Sequence, residues 1–402
     1  MYKVQNTQKN LCKVKQKILY TRKLGDILLN TMKYPAEPQL LPIEKINWEK
    51  LISRMGQANR SLAYYDGILQ GIPNPKLLLS PLTTQEAVLS SKIEGTQATL
   101  GDVLKYEAGE EPKQEEKRRD IQEIINYRKA LNTAEQELKK KPFGLNLLKQ
   151  LHFILLDSVR GRNKMPGQFR KTQNWIGKPG APIEQASFIP PAPIHLQASL
   201  DNWEKYYHSD TADALVQLAF VHAQFEIIHP FNDGNGRLGR ILIPLFLYEK
   251  NILSKPMFYL SAFFEKHNDE YIQRLRALSD DEPQWNEWLD FFLLAVDQQA
   301  KENASKAKAV LSLYESLKER FIEITHSQFA VPLLDSIFKH PIFQSTSLEK
   351  QRGLPSKPMI MQMLRQLKKA GLLKTLNEGA GRRAQVLALQ ELINLCEGRR
   401  VV

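Results

Sequence analysis

His229-Pro-Phe-Asn-Asp-Gly-Asn-Gly-Arg-Leu-Gly-Arg240 is the stretch of this 402-residue chain on which its reading turns. Gly234 and Gly236 flank Asn235, so the backbone can turn sharply and aim several N–H groups at one point. That point is the start of a helix predicted to run on through 240–248, where unpaired N–H groups and the helix dipole favour an anion. Arg237 and Arg240 are three apart and project from one face of the first turn. Two forked guanidiniums over a nest of N–H groups make a site for at least two phosphates. Asp233 precedes the nest and suits Mg²⁺, a hard cation that takes carboxylate and phosphate oxygens. His229, as a neutral imidazole, can take a proton from an incoming hydroxyl. The parts suit in-line phosphoryl or nucleotidyl transfer. Singly, each has a plainer reading: a loop histidine, an ordinary turn, a solvated helix face. Their coincidence points to chemistry.

Outward from the motif the periodicity is helical. Helices are predicted over 47–69, ending at Gly71-Ile-Pro73-Asn-Pro75, and from a Thr83 or Thr84 cap to Gly95, with Glu86 in the first turn. A solvated charge run, 109–120, leads into a helix through Leu138, followed by helices over 143–158, 195–208 and 211–229 and onward to Ile324. Between them, 161–193 is rich in Pro and Gly with β-like pieces at 174–176 and 187–189, a long loop carrying a hairpin. After residue 325 the pattern changes. Helical segments at 332–338, 347–354 and 357–370 precede strands at 372–376 and 384–389 around a Gly-rich tip, a winged-helix pattern. The expected division is a flexible basic tail (1–35), an N-terminal helical region (36–125), an all-α core (126–325) and a winged-helix domain (326–402).

At 42% hydrophobic and 25% charged residues the composition is that of a globular chain, and no apolar run is long enough to span a membrane. The only cysteines, Cys12 and Cys396, exclude a disulfide framework or a cysteine metal site and fit a reducing cytoplasm. The net charge of +12 suggests a polyanion partner until it is located. Half of it lies in residues 1–31, where Lys3, Lys9, Lys13, Lys15, Lys17, Arg22 and Lys23 face Asp26 alone.

The pattern His-x-Phe-x-Asp-Gly-Asn-Gly-Arg-x-x-Arg resembles the signature of the Fic (filamentation-induced-by-cAMP) family, with every fixed position present. The resemblance implies an all-helical core and a protein adenylyltransferase that transfers AMP from ATP to Ser, Thr or Tyr hydroxyls. His229 would be the base and Asp233 the ligand of Mg²⁺ or Mn²⁺. Gly234, Asn235, Gly236 and Arg237 would bind the α- and β-phosphates and Arg240 the γ-phosphate, with Leu238 and Gly239 in the same nucleotide-binding run. Phe231 would pack the loop onto the core. The intact His229 and Asp233 argue against the family's non-AMP-transferring branches.

Ser90-Ser-Lys-Ile-Glu94-Gly95 reads plainly as the end of an amphipathic helix with Glu94 solvated; beside the motif it resembles the family's inhibitory sequence. Glu94 would then pair with Arg240 and displace the γ-phosphate. The 161–193 loop resembles the family's flap, where Asn174, Trp175, Ile176 and Phe188 would register an extended target segment. Tyr271 lies where relatives place a tyrosine near adenosine, and Glu226 faces either nucleotide or solvent. A homodimer is a family habit. Two rival functions remain: removal of AMP, with Glu94 positioning water, and a DNA-binding regulator whose core senses nucleotide. In the latter, Lys357, Arg365, Lys368 and Lys369 would lie on a recognition helix, with Arg382 and Arg383 on the wing.

Overall fold

The computed structural model describes residues 34–158, 162–178, 180–280, 282–379 and 384–400. The basic tail up to residue 33, Cys12, Arg382 and Arg383 lie outside the described residues.

Two long helices frame the molecule. Helix α1 (Trp48–Gly71) starts at Asn47, whose side chain accepts from the Lys50 N–H, and α12 (Trp285–Thr325) runs for 41 residues alongside it. Between their buried faces Ser61 donates to Asp297 (2.6 Å), and at the rim Arg54 pairs with Asp290 (2.9 Å). Next come α2 (Pro75–Leu78), α3 (Ser80–Ile93), α4 (Leu100–Glu107), α5 (Glu115–Leu138) and α6 (Leu145–Leu155). Helix α7 (Leu196–His208) leads to α8 (Ala214–Ile228) and α9 (Asn235–Glu249), the pair that brackets the motif. Helices α10 (Ser261–Lys266) and α11 (Asn268–Arg276) close the far side.

Helix α8 is apolar all round because α1, α7, α9 and α12 all pack against it. Asp213 caps its start by accepting from the Leu215 and Val216 N–H groups. Trp203 and Trp288, fully buried, spend their indole N–H groups on the Val221 and Ala219 carbonyls of α8.

Helix α3 begins earlier than its threonines suggest. Its start is set at Ser80-Pro81, where proline's fixed φ suits a first turn and its missing N–H costs nothing. Thr83 instead meets the Tyr259 hydroxyl (2.5 Å), and Thr84 bonds back to the Ser80 carbonyl. Gly95, at φ +100°, ends the helix as expected.

Past α12 come α13 (Ala330–Lys339), β1 (Ile342–Gln344), a single 3₁₀ turn (Ser347–Lys350), α14 (Lys357–Lys369), β2 (Lys374–Asn377), β3 (Val386–Ala388) and α15 (Gln390–Glu397). The helix expected over 347–354 is only that turn, because Gly353 and Pro355 break its second half. The expected two-stranded ribbon is a three-stranded antiparallel sheet in the order β1-β3-β2, with Phe343 and Thr375 both opposite Leu387. At three residues, β1 is too short for periodicity to reveal. This module is not isolated: α13, α14 and α15 pack on α12, β1 packs on α4, and α13 and α15 also touch α3. On α14, Lys357, Arg365 and Lys369 are exposed and Lys368 is half-buried. Among the described residues no helix is long and apolar enough to cross a membrane.

Candidate active site

The site forms where the α8–α9 loop meets α3, α5 and α11. Helix α8 ends on His229, which takes a left-handed φ of +49°, and Gly234 (φ +78°) turns the chain into α9. Asn235, 1% exposed, closes the loop on itself: its Oδ1 accepts from the Phe231 N–H (2.9 Å) and its Nδ2 donates to the Phe231 carbonyl (2.8 Å). The Asn235 side chain is thus spent on shaping the loop. Leu238 is fully buried in the core and Gly239 packs against Glu226 and Phe225. Neither lines the cavity.

The motif loop is pinned from below by His152 of α6. The Gly167 N–H donates to His152 Nδ1 (2.8 Å), so Nε2 carries the proton and donates to the Asp233 carbonyl (3.0 Å). Phe231 stacks on the same imidazole at 3.7 Å and 13°. His222 plays a matching part above: its Nδ1 donates to the Gly239 carbonyl (3.1 Å), and its Nε2 accepts from the Tyr271 hydroxyl (2.9 Å).

The two arginines part company. Arg240, 2% exposed, donates from Nε to Ser90 Oγ (2.8 Å) and from Nη2 to the Ser90 carbonyl (2.9 Å) and Glu94 Oε1 (2.6 Å). Burial opposes the Arg240 charge, but Glu94, Tyr271 and Glu226 together outweigh it and hold the arginine above its usual range. Glu94 is likewise pushed up by burial and pulled down further by Arg240, ending below the usual carboxylate range. Arg237 turns the other way, to Glu123 Oε2 on α5 (2.7 Å) and more distantly to Asp233 (3.5 Å). Gly236 lets the Glu94 carboxylate approach closely, since a Cβ there would push the end of that side chain aside.

Beside these groups is a cavity of about 190 Å³. Glu94, Glu226, His229, Gly236 and Arg240 make its polar side, while Ile93, Ile272, Leu275 and Tyr271 line the rest. Ile176 and Phe188 of the long loop cover one edge and pair with each other, the Ile176 N–H donating to the Phe188 carbonyl (2.8 Å) and the Phe188 N–H to the Ile176 carbonyl (3.2 Å). Asn174 anchors that loop by donating to the Phe231 carbonyl (3.0 Å), and Trp175 stays 42% exposed.

His229 Nδ1 lies 3.3 Å from the Glu226 carbonyl, so its hydrogen points there and Nε2 keeps its lone pair, unpaired among the described residues. Burial pushes the His229 pKa down to about 4, which leaves the ring neutral at physiological pH. Glu226 faces the cavity, not bulk solvent, and its Oε1 has no hydrogen-bond partner among the described residues. Burial, resisted by Arg240 and aided by Glu94, pushes its pKa up to about 8.

These burials set up opposing proton linkages. His152, His222 and His229 sit at about 4, 3 and 4, below the ordinary 6.5. The stability they contribute is present above pH 6.5 and is lost as pH falls through 4. Glu86 on α3, which accepts from Ser261 and Tyr127, is raised by burial to about 7, and Glu226 to about 8. Their contribution is full below about pH 4.5 and lost as pH rises through 7 to 8. Above pH 6.5 only the carboxylates still act, so the thermal midpoint is expected to fall between pH 6.5 and 8.5. Glu226→Gln is expected to flatten that fall, and an unchanged slope in thermal unfolding would contradict it.

Residues 52–136 match the family model described as Fic/DOC family N-terminal, and residues 142–247 match that of the Fic/DOC family. A protein named "Probable protein adenylyltransferase" from Aquifex aeolicus (strain VF5) is 30% identical over 210 residues, covering 50% of this chain and 57% of its own length. The protein adenylyltransferase Fic of Drosophila grimshawi is 27% identical over 118 residues, or 27% of this chain and 23% of that protein. The chain therefore spans little more than half of one curated relative and under a quarter of the other. The crystal structure of a Fic family protein from Desulfovibrio desulfuricans G20 superposes with a TM-score of 0.55 at 17% identity, covering 88% of this chain and 98% of that one. It shares the fold.

Proposed function

We propose, from the two Fic/DOC family domains over residues 52–136 and 142–247, that this chain is a protein adenylyltransferase moving AMP from ATP to a Ser, Thr or Tyr hydroxyl of a protein target. The observation that carries the reading is the neutral His229, its Nε2 free at the edge of a cavity shared with Gly236 and Arg240. His229 Nε2 accepts the proton of the target hydroxyl as its oxygen attacks the α-phosphorus. Pyrophosphate departs in line, its charge met by Arg237, Arg240 and the N–H groups at the start of α9. The loop that Ile176 and Phe188 hold together covers one edge of the cavity, where it meets the target segment and registers its hydroxyl.

Asp233 fits a divalent ion. Its carboxylate is 43% exposed, and among the described residues no three His, Cys, Asp or Glu side chains gather to hold a metal alone. That suits Mg²⁺ shared between one carboxylate and substrate phosphates. Bound there, the ion supplies charge neutralisation on the triphosphate. Asp233→Ala is expected to lower AMP transfer more than tenfold, since such clamps are worth several kcal/mol; a variant as active as its parent across a Mg²⁺ titration would exclude Asp233 as the ligand.

The Ser90–Glu94 grip on Arg240 supports a resting enzyme that is mostly off, because the γ-phosphate must compete with Glu94. The 37% exposure of the Glu94 side chain at the cavity also suits a second reading, in which it orients water to remove AMP. The deciding experiment incubates wild type and Glu94→Gly with ATP and Mg²⁺ and follows intact mass. A shift equal to AMP supports transfer and a phosphate-sized shift overturns it; loss of AMP from a modified protein by wild type alone favours removal.

A further inference from the structure

Arg237 is held by a residue outside the motif. Its Nη1 meets Glu123 Oε2 at 2.7 Å, with the two side chains only 5% and 12% exposed. Its Nη2 lies 3.5 Å from Asp233 Oδ1, and its buried Nε–H has no acceptor among the described residues. Glu123 thus holds one edge of the guanidinium, and the Nε–H stays unpaired among the described residues.

The setting of Glu123 contrasts with that of Glu94. Glu94 caps the last turn of α3, is 37% exposed, and is followed by Gly95 at φ +100°. Glu123 lies well inside the 24-residue α5, which packs on α3, α6 and α9. One turn further on, Asn126 ties α5 to the end of α6 by donating to the Leu155 (3.4 Å) and Asp157 (2.9 Å) carbonyls. An exposed carboxylate at a helix end has more room to swing away than a buried one inside a packed helix.

We propose that Glu123 is a positioning residue for the adenylyl transfer read above. It fixes the plane of the Arg237 guanidinium against the motif loop so that the remaining donors meet the substrate phosphates. It is a permanent anchor, unlike Glu94, and it stays paired through turnover. An unanchored arginine would still attract the triphosphate by charge but would spread over several rotamers, so the cost falls on the reacting geometry more than on binding.

The test places Glu123→Gln and Glu123→Asp in the Glu94→Gly protein and measures kcat and KM for ATP in AMP incorporation, ATP Kd by calorimetry, and thermal midpoint. Glu123→Gln is expected to lower kcat about ten- to a hundredfold with ATP Kd held within about threefold. Glu123→Asp, which keeps the charge, is expected to recover part of that loss. An increase in activity with tighter ATP binding would make Glu123 a second brake and overturn the proposal. So would an unchanged kcat, or equal loss of binding and turnover with a collapsed thermal midpoint. Should Glu123→Gln not fold, the Asp variant carries the same comparison: a lowered kcat at unchanged ATP Kd supports the proposal, and a kcat equal to the parent's overturns it. A Glu94→Gly parent that binds ATP yet transfers no AMP would defeat the adenylyl-transfer reading, and this role with it.

Discussion

His229→Ala in a Glu94→Gly background is expected to lower AMP incorporation by about 10²–10⁴-fold, the usual range for a lost general base. ATP affinity should barely change, because the imidazole faces the incoming hydroxyl and not the phosphates. Burial holds the ring near pKa 4, so it accepts protons across the physiological range. The pH–rate profile is therefore expected to show no acid limb from His229 between pH 5.5 and 8. AMP incorporation measured by intact mass at several pH values checks both points. An Ala variant within threefold of its parent would remove His229 from the chemistry.

Glu94→Gly is expected to raise AMP incorporation about ten- to a hundredfold over wild type. The pair it breaks is a 2.6 Å charge-assisted bond to an arginine that is 2% exposed. Bonds to charged groups contribute roughly 1.5–3 kcal/mol, and each 1.4 kcal/mol is tenfold in an equilibrium. Ser90 keeps two of the Arg240 donors in the variant, so the arginine is released from its competitor without losing its seat. Equal rates for wild type and variant at sub-saturating ATP would defeat the brake.

The motif's setting was legible because local rules decide it. An apolar helix must end somewhere before Pro230, and Gly234 lets the chain restart as another helix. The contact of Glu94 with Arg240 was reached only through family resemblance; spacing within α3 alone read Glu94 as solvated. Glu123, His152 and His222 were not legible. Each meets its partners across at least 15 residues of sequence, and in the Glu123–Arg237 pair across 114. No helical period links such pairs; only packing of α5 and α6 against the loop does. The same holds for Asn235, whose polar amide reads as a ligand until its two bonds to Phe231 are seen. In the C-terminal module, length was the obstacle: three-residue strands carry no usable alternation.

Helix α12 determines how that module is mounted. At about 1.5 Å per residue its 41 residues make a rod roughly 60 Å long, with Trp288 seated on α8 at one end and Tyr314 bonded to Asp335 of α13 toward the other. The C-terminal module is thus geared to the helical core around the motif by helical phase and is not hung from a tether. A single residue inserted midway would turn one part against the other by about 100°, shearing α15 and α13 off α3. Chain length in this rod is held as tightly as any side chain in the site.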